Sequence, residues 1–158
     1  MSAPTATAPV LTRTGSVPAT PHKLFLNLPV SDLQRSITFF EALGFAFHPG
    51  FTDETATCML IGEDAYAMLL THEAFTGFSG RPLGAPARET SAMMALSVAS
   101  REEADAMLER AVDAGGAAAR PPVDHGFMYA TSFYDPDGHH WEAFWMDPAA
   151  IPPVTEHD

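Results

Sequence analysis

Residues 23–30 alternate, with Leu24, Leu26, Leu28 and Val30 on one side and Phe25, Asn27 and Pro29 on the other. A period of two predicts a strand with a uniformly aliphatic face. The period then lengthens: Leu33, Ile37, Phe40 and Leu43 recur at helical spacing. Ser31 and Gln34 have the separation of a capping box, Asp32 adds negative charge at the helix start, and Gly44 suits a left-handed stop. Three short apolar segments at 45–48, 57–61 and 66–71 read as strands, the last two joined by a Gly62-Glu63-Asp64 turn.

The second half repeats this order of strand, helix and three strands, although little identity survives between the halves. Residues 92–98 predict a strand. Ser100 and Glu103 form a second capping box, opening a helix with Ala104, Met107, Leu108 and Ala111 on its apolar side and Gly115-Gly116 at its end. Strands are expected at about 117–120, 128–134 and 139–145, the last two joined by Asp135-Pro136-Asp137-Gly138. There Pro136 presets the first central dihedral and Gly138 permits the return into a hairpin. Between the halves, residues 72–90 contain three Gly and two Pro and read as a long loop, of the kind that serves as a lid or cavity wall. The pattern gives an α+β domain at 22–148 with modules at about 23–71 and 91–147, a flexible N-terminal arm at 1–21 and a C-terminal tail at 149–158.

At 158 residues and 46% hydrophobic content the chain suffices for one core and is short for two. Twenty acidic against eight basic side chains give a net charge of −12, which repels nucleic acid and anionic membranes and favours neutral or cationic partners. A single cysteine, Cys58, in an apolar run, rules out an intramolecular disulfide and reads as a core residue. The first twenty residues hold one charge, Arg13, and lack the basic start and apolar stretch of a secretion signal. No apolar run approaches the roughly 18 to 20 residues of a membrane span. A cytoplasmic protein is expected.

The twofold repeat resembles the vicinal oxygen chelate superfamily. The likeness rests on Leu28-Pro29-Val30-Ser31-Asp32-Leu33 before the first helix and Asp135-Pro136-Asp137-Gly138-His139-His140-Trp141-Glu142 leading the last strand. Glyoxalase I, extradiol dioxygenases, fosfomycin-modifying enzymes and bleomycin-binding proteins belong to that superfamily. The resemblance covers about 23–148 and implies two βαβββ modules that form a cup-shaped mixed sheet around a small-molecule ligand. Single-domain relatives often assemble the cup from two subunits, so it also implies a homodimer.

Metal-dependent relatives place His, Gln or Glu on the first and last strands of each module. Carried over on the motifs, those positions fall on Phe25, approximately Leu69, Met93 and Glu142. Only Glu142 is a donor for a divalent metal of the kind these enzymes use, so three of the four usual positions are broken. Nearby residues offer one substitute: Asn27 and His140 share strand faces with Phe25 and Glu142, and with His125 they suggest a 2-His-1-carboxylate set.

Glu142 sits among aromatics in Trp141-Glu142-Ala143-Phe144-Trp145, where a carboxylate needs a polar cavity or a partner. It reads as a metal ligand or general base, or else as a solvent-face carboxylate. His125 and Tyr129 suit acid–base work or stabilisation of an oxyanion, or else are a loop histidine and a tyrosine with its ring in the core. Asn27 reads as a ligand-orienting amide, and Phe25, Met68, Met93, Phe127 and Trp145 as an apolar ligand wall or as plain core. His48, His72 and His139 are assigned no role. Two functions stand open: a glyoxalase-like lyase or dioxygenase acting on a small oxygenated substrate, and a metal-independent protein that sequesters a drug.

Overall fold

The computed structural model describes residues 18–150. Most of the expected arm, up to residue 17, and the expected tail from residue 151 lie outside the described residues.

The alternating segment forms β1 (Leu24–Val30), and the helical pattern after it forms α1 (Leu33–Ala42). β2 (Ala46–Phe47), a 3-10 turn at Pro49–Phe51, β3 (Ala56–Leu60) and β4 (Ala65–Thr71) complete the first module. Its sheet runs β1-β4-β3-β2, with β1 parallel to β4 and the other pairs antiparallel. The second module has the same order. β5 (Met93–Ser97) lies parallel to β9 (His140–Met146), followed by β8 (Met128–Tyr134) and β6 (Ala117–Ala118), with α3 (Arg101–Asp113) as its helix. A two-residue strand, β7 (Val123–Asp124), also pairs with β8 and was not expected.

Three local expectations change. The segment 72–90 is not all loop, because α2 (His72–Ser79) occupies its start, capped by the Thr71 hydroxyl and stopped by Gly80 at φ +68. At α1 the cap is Asp32 rather than Ser31: its carboxylate accepts from the Arg35 amide at 3.0 Å, while Ser31 turns its own amide to Asp137. Leu24 begins the aliphatic face of β1 yet is exposed, so burial along that face starts at Leu26 and is complete only at Leu28 and Val30. The second capping box forms as expected, Ser100 accepting from the Glu103 amide at 3.1 Å and the Glu103 carboxylate from the Ala99 amide at 2.7 Å.

One core joins the modules. Leu28, Met59, Ala67 and Leu69 from the first sheet cluster with Phe39 and Phe40 of α1, Ala104, Met107 and Ala111 of α3, and Phe133, Trp141 and Ala143 from the second sheet. Across the modules Phe40 meets Trp141 edge-on at 5.1 Å, and Phe39 lies 6.2 Å from Phe133. Cys58 is buried, and burial pushes its thiol pKa up.

The turn between β8 and β9 bolts the halves together. Asp135 is buried and accepts from Trp141 Nε1 and from the amides of Asp137 and His139, each at 3.0 Å. Burial raises its pKa, against the opposing pull of His139 and these bonds. Asp137 reaches into the other module, accepting from the Ser31 amide at 2.9 Å, with Arg35 at 3.5 Å. His139, given no role by the sequence, donates through Nε2 to the Pro29 carbonyl at 2.7 Å.

Candidate functional site

Strand register decides which side chains share a face. In the first sheet Phe25 stands beside Tyr66 and Asn27 beside Met68, and the Phe25 and Tyr66 rings stack at 4.7 Å. Leu69 lies on the other face, fully buried in the core, so the residue beside Asn27 on the Phe25 face is Met68. The placement of a site position at Leu69 is thereby corrected by one residue. Asn27 is itself exposed and donates to the Phe25 carbonyl at 3.2 Å.

In the second sheet, the face turned away from α3 carries His140 beside Met93 and Tyr134, and Glu142 beside Ala95 and Ser132. Ser132, His140 and Glu142 therefore form a contiguous polar group. Ser132 and His140 are 2% and 8% exposed, and Ser132 Oγ and His140 Nε2 are buried without a hydrogen-bond partner. The sequence reading singled out Glu142 and His140 but not Ser132. Its neighbour Thr131 faces the helix and donates to the Ala104 carbonyl at 2.7 Å.

Tyr129 and Trp145 are registered with each other on the opposite face, toward α3. The Tyr129 hydroxyl donates to Asp105 of α3, and that bond, with burial, raises the phenol pKa. The Arg101 guanidinium lies 5.2 Å from each of the Tyr129 and Trp145 ring centroids. It also grips Asp124 through two bonds of 2.7 and 3.1 Å and donates to the Gly126 carbonyl at 2.8 Å. The Arg101 bonds, helped by the Gly126 amide, lower the Asp124 pKa to about 2. This brace holds the hairpin whose tip carries His125 and Phe127, stacked 6.2 Å apart. Tyr129 and Trp145 thus support the hairpin, and the structure does not bring them together with Glu142.

The residues do not fit a metal centre of the usual kind. The four positions, with Met68 in place of Leu69, are Phe25, Met68, Met93 and Glu142, a single oxygen donor among apolar and thioether side chains. The substitute set fares no better: among the described residues no three His, Cys, Asp or Glu side chains lie close enough to hold a metal ion, so His125, His140 and Glu142 are not assembled.

Where β1 ends and β9 begins there is a cavity of about 270 Å³, walled by Phe75 of α2 and by the linker around Pro86 and Glu89. Of the expected site residues, Asn27 and His140 line it, while Phe25, Met68, Met93 and Glu142 do not. The expectation that 72–90 provides a cavity wall holds.

The model of the Glyoxalase/Bleomycin resistance protein/Dioxygenase superfamily matches residues 23–143. The chain belongs to this superfamily. Solved structures agree. The hypothetical protein SA1046 from S. aureus is 28% identical, with 80% of this chain and 95% of that one covered at a TM-score of 0.69. A glyoxalase-related enzyme from Fulvimarina pelagi shares the fold at 24% identity, 85% and 96% coverage and a TM-score of 0.68. A superfamily enzyme from Burkholderia phytofirmans PsJN does so at 15% identity, 77% and 96% coverage and a TM-score of 0.66. A search of curated proteins gives no match.

Proposed function

We propose that this superfamily member is a small-molecule-binding protein in which Ser132, His140 and Glu142 hold the polar part of an organic ligand. Phe25, Met68, Met93 and Phe127 supply the apolar wall, and binding does not depend on a four-donor metal centre. The observation that carries this reading is the pair of buried, unpartnered atoms, Ser132 Oγ and His140 Nε2, flanking a carboxylate on one sheet face. Each such atom costs about 1–3 kcal/mol when left unsatisfied, a cost that a polar ligand group relieves.

The competing reading, a lyase in which Glu142 removes a proton beside a carbonyl, needs an electrophile to stabilise the enediolate. His125 and Tyr129 were the expected metal-free candidates; Tyr129 is engaged with Asp105 on the far face, and His125 stacks on Phe127 at the hairpin tip. Phe25, Met93 and Phe127 are 51%, 57% and 52% exposed, more apolar surface than a monomer favours. A second copy of the chain covering them would make the cup a dimer property, in keeping with a cytoplasmic homodimer. Among the described residues no helix is long and apolar enough to cross a membrane.

Thermal melting of metal-free protein tests the reading. A cationic glycopeptide raises Tm, a glutathione hemithioacetal does not, and nickel, zinc, manganese and ferrous iron leave Tm unchanged. Ser132→Ala and Glu142→Gln weaken the glycopeptide effect. Metal-dependent stabilisation accompanied by turnover of the hemithioacetal overturns the proposal.

A further inference from the structure

The 270 Å³ cavity is a second compartment with a chemistry of its own. Its volume falls just below the roughly 300–1,000 Å³ typical of drug-sized sites, which limits a guest to about one ring and a short substituent. Leu28, Phe75 and Met94 give it an apolar interior. Its polar side chains are Asn27, Glu89, Thr90, Ser91, His139 and His140, and no Lys or Arg lines it. The Asn27 amide nitrogen is bonded to the Phe25 carbonyl, which leaves its Oδ1 as an acceptor. Glu89 enters no salt bridge among the described residues. His140 contributes a ring with one nitrogen that no protein group uses.

The wall that carries Glu89 is built rather than loose. The amides of Arg88 and Glu89 both bond to the Ala85 carbonyl, at 3.0 and 2.9 Å, closing a turn that sets Glu89, an exposed residue, at the rim of the cavity. The same segment presses on the β8–β9 turn so closely that a Cβ on Gly138 would come within 2.6 Å of Ala87 Cα and the Pro86 carbonyl oxygen.

A carboxylate or phosphate guest would meet the Glu89 charge and the Asn27 acceptor with no Lys or Arg to offset its desolvation, and His139 already donates its Nε2 proton to the Pro29 carbonyl. A protonated amine finds the reverse, in a chain whose net charge of −12 already enriches cations around it. We propose that this cavity binds a one-ring organic amine, its ring among Leu28, Phe75 and Met94 and its ammonium held by Glu89 with Asn27 Oδ1 as a second acceptor. The site lies within one chain, and the amine's contacts include neither Ser132 nor Glu142 nor a second copy, so it is tested apart from the reading of the sheet face, with which the cavity shares only the His140 ring.

Three probes of one shape decide it: 2-phenylethylamine, 2-phenylethanol and phenylacetate, titrated into the full chain while the Phe75 ring and Met94 methyl resonances are followed by NMR. The amine should move both signals and bind about tenfold more tightly than the alcohol, a factor typical of one added charge-assisted contact, and phenylacetate should not bind. Glu89→Gln, an exposed substitution, should bring the amine down to the affinity of the alcohol without changing the latter. Met94→Trp, which fills the cavity, should weaken both. The proposal is overturned if phenylacetate binds as well as the amine, if Glu89→Gln leaves the preference intact, or if no probe at millimolar concentration moves Phe75 and Met94.

Discussion

Both modules place their strands in the order first, last, third, second, with first and last parallel, yet they furnish corresponding positions with opposite chemistry. In the first module the edge strand β1 brings the polar residue, Asn27, and the inner strand β4 brings Tyr66 and Met68. In the second the edge strand β5 brings Met93 and Ala95, and the inner strand β9 brings His140 and Glu142. The topology determines where a side chain points, and the residue type decides whether that point is apolar or polar. The one-sidedness also explains why the unsatisfied atoms gather in the second module: Ser132 faces Glu142 across a strand pair, whereas its counterparts in the first sheet are apolar.

If the two halves differ in chemistry but share one core, damage to either should unfold both. Trp141→Ala tests this with the largest effect. It empties a fully buried site against Phe40 and strips a hydrogen bond from Asp135, at a cost of about 3–5 kcal/mol. Denaturant unfolding should still show one transition, moved to lower concentration; a residual transition belonging to the first module would separate the halves. Asp137→Ala should cost about 1–2 kcal/mol, since it leaves the Ser31 amide without its partner. Faster hydrogen exchange at Ser31, with α3 amides unchanged, would locate that loss at the joint.

The smallest effect concerns the arginine brace of the second module. Asp124 has its pKa lowered to about 2 from an ordinary 3.8, so its contribution to stability is present above the ordinary value and is lost as pH falls toward about 2. Carboxyl NMR titration should place it there, and Arg101→Met should return it to the usual aspartate range. An unchanged titration in the variant would show that Arg101 is not the cause.

Periodicity made the main strands and both large helices legible, because each has an apolar side that meets the core. α2 escaped notice for the opposite reason: none of its residues is buried, Gly77 interrupts it, and only its end signals, Thr71 and Gly80, mark it as a helix. Faces were harder to read than elements. β4, β8 and β9 carry apolar residues on both sides, so alternation could not tell Met68 from Leu69, nor reveal that Tyr129 and Trp145 look toward α3 while Glu142 looks away. Ser132 was invisible for a related reason. Two adjacent hydroxyls in one strand look alike in sequence, and only the fold gives Thr131 a carbonyl partner and leaves Ser132 with none.

Gly138 combines a backbone angle of φ +93 with a near-touching linker, so two independent demands forbid a side chain at one position. The linker therefore has a fixed far end at 86–87 and a fixed near end at Gly80, where α2 stops. Residues 82–84 run between these pins and belong to neither sheet, whereas Arg81 is bonded to Ser79 and Ala85 closes the turn to Arg88 and Glu89. For protein engineering this makes 82–84 an exchangeable cassette: their length and composition can be varied to reshape the mouth of the cavity, while the shared core keeps its packing and the chain its cooperativity.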